Sequence, residues 1–438
     1  MKRLGFIIAA ATIVCTPASA MHYEINVGIS PEAHRLDATV IVREPPSERF
    51  VLHKGFVVRS VVADGKPVAF HTDPSQPSSP FTPEAAGIIA DTKGAKVLEV
   101  RYGGTIDEPI AGVTMITPGL VELAGQPGAW FPLFPASADS TFRLTAALPD
   151  GFMAASNARL VSQSRADGRA IYVWTSYEPS FDIALVAAPG MHATSAGSPR
   201  VEIDYANMPA ATMDKLRDAL IQARSGLTAH YGETRKKAGI QVFYAPRGGY
   251  PYARPPLVLT SEGFVADDMK KEDRDAALFH WAAHELAHYW WTIAPFMNAQ
   301  DWTDNCDNWL NEGLAEFSAV RLVEEQYGKA EAEKILDQFR QDAAHNKTGD
   351  AIAETKQNSP DQWLNRYEKA PLVLFAARDK FGEAKLDAFL TDLYGRYSVT
   401  RNAATAAFLD LARKDLGEEG AAFFREELYR HPAVSVGK

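Results

Sequence analysis

The chain has 438 residues, 46% of them hydrophobic, which is enough for a large core shared between two or three domains. Its formal net charge is −10, from 55 Asp and Glu against 45 Lys and Arg, so nucleic acid is not an expected partner. Its two cysteines, Cys15 and Cys306, exclude a disulfide scaffold.

Residues 1–20 combine a basic start (Lys2, Arg3), an apolar run over 6–15 and the ending Ala18-Ser19-Ala20, the pattern of a cleavable export signal. Cleavage before Met21 leaves 43 Lys and Arg against 55 Asp and Glu, a net charge of −12, and predicts a periplasmic or secreted product. Neither this run nor any later one reaches the roughly 20 apolar residues of a membrane span. Across 21–199 short alternating segments recur between turn signals, at 22–30, 36–43, 56–70 folded at Asp64-Gly65, 97–102, 142–147, 171–175 and 181–187. That spacing predicts an N-terminal antiparallel β-sandwich, with 73–83 as an exposed loop rich in Pro and Ser. After Pro199 the period lengthens. A helix over 212–230 and strands at 240–244 and 257–260 precede a mostly helical remainder, with helices at 362–381, 385–397, 403–415 and 418–431. The fold class is therefore α+β: a β-sandwich, then a mainly helical domain over 200–438.

His284-Glu285-Leu286-Ala287-His288 carries the chemistry. On a helix, residues four apart share a face, so both imidazoles can reach one Zn2+ while Glu285 stands beside the water that the metal polarises. Trp309-Leu310-Asn311-Glu312-Gly313 opens a second amphipathic helix, and Glu312 is placed to be the third ligand of a site of two histidines and a glutamate. Glu316, one turn on, can accept the free ring N–H of a ligand histidine. Three protein ligands leave one position for water, and Glu285 is then the general base for attack on a peptide carbonyl.

These blocks, with Tyr367-Glu368-Lys369-Ala370-Pro371, resemble the gluzincin metallopeptidases typified by aminopeptidase N. The resemblance extends upstream to Trp130-Phe131-Pro132 and Thr141-Phe142-Arg143-Leu144, which look like that family's N-terminal β-domain. It implies a thermolysin-like fold for the domain over 200–438, one zinc per chain, peptide or protein substrates, and a catalytic Tyr367 donating a hydrogen bond to the oxyanion that forms. No length remains for the large helical domain that follows in many members.

Two departures from the family pattern stand out. The spacer Tyr289 to Asn311, 23 residues, is longer than the family's, which makes Asp307 a competitor for the third ligand. His280 is a weaker rival, since eight residues of helix separate it from His288 by about 12 Å. The family's amine-binding Glu, on a strand ahead of the zinc helix, has no counterpart in Gly248-Gly249-Tyr250-Pro251-Tyr252-Ala253; Glu122 and Glu262 are substitutes, each expected as a solvated residue. An aminopeptidase with atypical amine recognition is the leading expectation. An endopeptidase and a secreted binding module without activity are the alternatives.

Overall fold

Alternation of buried and exposed residues along His22–Ser30 and Arg35–Arg43 builds one wall of the N-terminal core, with Tyr23, Ile25, Val27 and Ile29 beside Leu36, Ala38, Val40 and Val42. The computed structural model describes residues 21–73, 82, 84–92, 94–110, 112–134, 139–234, 239–248, 251–262, 275–295 and 305–432. The export signal read at 1–20 and most of the loop at 73–83 lie outside the described residues. Eight strands form the main sheet, in the order Arg159–Ala166, Arg169–Thr175, Thr141–Pro149, His22–Ser30, Arg35–Arg43, Val97–Thr105, Phe56–Ala63 and Lys66–Pro67. All its pairings are antiparallel except His22–Ser30 with Thr141–Pro149, which run parallel. A four-stranded and a three-stranded sheet complete this half. Between them sit Trp130, Phe131 and Trp174, and the indole N–H of Trp130 donates to Ile183 O at 3.0 Å, so that large ring is buried without an unpaired polar atom.

The second half begins with a five-stranded sheet in the order His192–Ala196, Val201–Tyr205, Ile240–Ala245, Leu257–Ser261 and Tyr252–Arg254. Its first strand precedes residue 200, where the sequence changes period. One face of this sheet meets the four-stranded sheet through Phe243 and Leu259 against Met115, Leu120 and Val186. Its other face meets the helices, which are α1 (Ala210–Tyr231), α2 (Asp275–Ala287), α3 (Trp309–Tyr327), α4 (Lys329–Ala343), α5 (Ala370–Phe381), α6 (Glu383–Tyr397) and α7 (Thr405–Leu428). Helix α3 is buried on every side from Trp309 to Val323, the mark of a central core helix.

Two expectations need correction. The strand read at 181–187 begins only at Ala184, because Ser180 and Asp182 are held in a local side-chain turn. The helix read over 362–381 is interrupted by a π-helical stretch, Leu364–Lys369, ahead of α5. The two helices read at 403–415 and 418–431 are present as the two segments of α7, separated where expected at Gly417, whose φ of 80° suits glycine. Among the described residues no helix is long and apolar enough to cross a membrane.

A buried ionic network ties α1, α3 and α6. Arg321 is 1% exposed and donates to Asp387 and Glu383, while His230 at the end of α1 reaches Glu325 at 2.6 Å and Asp387 at 3.2 Å. Burial alone would lower the His230 pKa, but its bonds to Asp387 and Glu325 outweigh that and bring it up to about 9. A raised folded-state pKa means that the stabilisation is complete below the unfolded value of 6.5 and disappears as pH rises through about 9. His230→Gln should therefore lower the thermal midpoint at pH 6 and have little effect at pH 10. A midpoint difference between the two proteins that is the same at both pH values would refute this linkage.

Candidate active site

Helix α2 brings His284 and Glu285 into the core, at 8% and 6% exposure, and stops at Ala287. His288 falls in the next turn, which tightens so that Tyr289 N–H bonds Leu286 O and Trp290 N–H bonds Ala287 O, both at 2.9 Å. Thr292 Oγ donates back to His288 O at 2.7 Å and satisfies a carbonyl that the ended helix would leave open. The two imidazoles stand edge to face, 5.1 Å apart, so their Nε2 atoms converge.

Helix α3 supplies the opposing carboxylates. Glu312 Oε2 lies 3.7 Å from His284 Nε2 and 3.4 Å from His288 Nε2, and the three potential ligand atoms all lie within 4.8 Å of one another. One turn on, Glu316 Oε2 accepts from His284 Nδ1 at 2.6 Å, and its other oxygen is 2.7 Å from His280 Nε2. His280 thus faces Glu316 and stands outside the ligand group. The register between the helices is set by Asn311, fully buried, whose Oδ1 accepts from both Ile293 N–H and Ala294 N–H at 2.9 Å while its amide donates to Ala294 O.

Tyr367 is brought in by the π-helical stretch. Its neighbours anchor this wide turn: Asn365 donates to Thr355 Oγ1 at 2.6 Å, and Arg366 donates to Asn305 Oδ1 at 2.7 Å and to Gln357 Oε1 at 2.9 Å. Gly313 permits the approach, since a Cβ there would sit 2.6 Å from the Cβ of Ala370. Tyr367 hydrogen-bonds Glu312, lies over the His284 ring at 5.7 Å, and is stacked on its outer face by Trp363 at 3.9 Å.

The electrostatics follow from burying carboxylates beside imidazoles. Burial raises the Glu312 pKa, but His288 and then His284 outweigh it and hold the group near 2. Burial likewise opposes a charge on His284, yet Glu316 first, with Glu285 and Glu312, raises it to about 9. A metal ion must displace that proton, and the same concentration of negative charge favours the ion. Glu285 is pushed up from the usual carboxylate range, chiefly by burial, with the two imidazoles opposing. Tyr367 is driven well above the usual phenol range by burial and by Glu312, so it keeps its proton.

All these groups line one cavity of about 430 Å3, closed on its far side by Pro251, Tyr252, Ala253 and Arg254. None of these four carries a carboxylate. Gly249 and Tyr250, just before them, lie outside the described residues. Glu122, expected in solvent, is fully buried on the strand Leu120–Ala124 because Arg247 pairs with it at 2.6 and 2.9 Å and the Tyr252 hydroxyl donates to it at 3.1 Å. Glu262 is held by Asn207 at 2.9 Å. Asp307 accepts from Thr405 N–H and its hydroxyl, both at 2.7 Å, at the start of α7. Sequence reasoning missed the clamp by Asn311 and the stacking by Trp363; the first stood in the quoted motif, whereas the second left no periodic signal.

Residues 255–426 match the Peptidase family M1 domain. An M1 zinc metallopeptidase from Deinococcus radiodurans superposes with a TM-score of 0.71 at 20% identity over 96% of this chain and 97% of that one. Native yeast LTA4 hydrolase superposes with a TM-score of 0.70 at 16% identity over 96% of this chain and 69% of that one. No curated protein matches the sequence. With the fold and the convergent ligands already in place, residues 255–426 are similar to the M1 peptidase domain, and the chain as a whole shares the two-domain fold of solved M1 metallopeptidases. The matched segment and the convergent donors support a zinc-dependent metallopeptidase with one zinc per chain.

The donor set fits zinc: two imidazole nitrogens and a carboxylate oxygen converge on one point, with a further carboxylate behind one imidazole. A second group, His230 with Glu325 and Glu383, lies where Arg321 already supplies the cation. Glu312→Ala should therefore empty the site of zinc, measured on the purified protein. Asp307→Ala should keep the zinc and cost about 1 kcal/mol of stability through the bonds lost at the start of α7. Equal zinc loss in both variants would overturn the ligand geometry.

Proposed function

We propose that this protein is an exported aminopeptidase with atypical amine recognition, which hydrolyses peptide bonds with Glu285 as general base and Tyr367 as a hydrogen-bond donor to the developing oxyanion. The observation that carries this reading is the convergence of His284, His288, Glu312, Glu285 and Tyr367 on one cavity. Zinc held by His284, His288 and Glu312 supplies Lewis acidity, which lowers the pKa of water to about 7 and polarises the carbonyl. Glu285, the carboxylate beside both imidazoles, takes a proton from the attacking water and delivers it to the leaving amine. Tyr367 keeps its O–H and offers it to the carbonyl oxygen as negative charge grows there. Glu316 holds the orientation of His284. Support for peptide binding comes from the Deinococcus radiodurans metallopeptidase, one variant of which is bound to a Tyr-Ser-Ala substrate. Support for export comes from the composition of the first twenty residues.

Endopeptidase action is the second reading, favoured by the cavity wall at Pro251 to Arg254. Its charged member is the cation Arg254, which Asp182 holds at 2.7 Å. A wall without a carboxylate gives a terminal ammonium no partner there.

Glu285→Gln should retain zinc and lose about 10²–10⁴-fold in kcat, because the lost group moves protons and binds no metal. Full activity in that variant would remove Glu285 from the mechanism. The second measurement compares kcat/KM for one peptide with its amine free and acetylated, cleaved at the same bond. A ratio within about tenfold, roughly 1.4 kcal/mol, is expected for a wall without an amine anchor. Strict dependence on the free amine would mean that another carboxylate anchors it.

A further inference from the structure

Four carboxylates line the cavity, and three are accounted for by the proposed chemistry. Glu312 faces both imidazoles, Glu316 is shared by His280 and His284, and Glu285 stands beside the histidines as the base. Glu368 is different. It has no hydrogen bond or ion pair among the described residues, and its Oε2 is buried. The nearest ammonium in sequence, on Lys369, donates to Asn346 instead.

Three large aromatic side chains share the cavity with Glu368. Trp281 from α2, Phe339 from α4 and Trp363 from the turn before the π-helical stretch line the same cavity, and Trp363 is 55% exposed despite its size. An unpaired carboxylate in a cavity with aromatic lining suits a group carrying positive charge on an apolar stem. We propose that Glu368, with Trp281, Phe339 and Trp363, forms a subsite for an alkylammonium or guanidinium group of the substrate, on a residue flanking the scissile bond. This placement rests on the peptidase reading of the cavity, because Glu368 directly follows Tyr367. The carboxyl is pushed up to about 7, first by burial and then by Asp342 and Glu316, with Lys369 opposing; a bound cation relieves that strain.

The cation has two possible sources, a basic side chain and a free α-amine, and four ligands separate them: arginine amide, citrulline amide and the Nα-acetyl form of each. Binding is measured by calorimetry on the zinc-loaded Glu285→Gln protein, so the result does not depend on turnover. In that background at least one cationic feature should tighten binding by tenfold or more. Acetyl-arginine amide against acetyl-citrulline amide reads the side chain, and citrulline amide against its acetyl form reads the amine. Adding Glu368→Gln should bring the decisive ratio close to one, with zinc content and thermal midpoint unchanged. Trp363→Leu, at an exposed position, provides an independent arm and should weaken the cationic ligand severalfold more than the neutral one. The proposal is overturned if the ratio survives Glu368→Gln, or if none of the four ligands is distinguished by charge. Loss of peptidase activity with the charge preference intact would instead count against the proposed function alone.

Discussion

Two backbone N–H groups, of Ile293 and Ala294, converge on the single side-chain oxygen of Asn311, and the site depends on that contact. It fixes the chain just beyond His288 against the first turn of α3, so His288 and Glu312 meet with no freedom to slide. Glu316 repeats the constraint one turn on by accepting from His284. Both contacts are buried, where breaking a hydrogen bond leaves a polar group without water, at about 1–3 kcal/mol each. The enlarged spacer between the two helices can therefore vary in length without moving the ligands, because register is set at its ends.

Much of this was legible in the sequence, for identifiable reasons. Helical spacing places His284 with His288 and Glu312 with Glu316, and the alternation at 22–30 and 36–43 marks sheet positions. Properties that require tertiary partners were not legible. Glu122 reads as a solvated residue because nothing nearby in sequence announces Arg247, 125 residues away. The strand Leu120–Ala124 shows no alternation because both faces are covered, and Arg159–Ala166 shows none because every residue is exposed. A π-helical turn keeps the composition of an α-helix while shifting the face it presents, so 362–381 reads as one continuous helix.

The charge distribution around the site follows one physical rule. Several buried carboxylates have cations at hand: Glu122 with Arg247, Asp182 with Arg254, Glu316 with two imidazoles, Asp387 with Arg321, whereas Glu368 is paired with none among the described residues. Burial raises the pKa of Glu122 and Asp182 even so, which shows that pairing offsets desolvation only in part. Glu312, Glu316 and Asp387 are instead depressed, each facing more than one hydrogen-bond donor or cation.

The wall at Tyr252–Arg254 belongs to the second half of the chain by sequence, yet its side chains are secured from the first. Tyr252 bonds Glu122, and Arg254 bonds Asp182 while lying over the ring of Phe181 at 4.9 Å. The matched family segment starts at residue 255, just beyond this wall. A catalytic fragment cut to that segment would retain every ligand-bearing helix and lose this part of the cavity lining. Divergence within the β-rich half can thus retune substrate selection without touching the residues that carry out the chemistry.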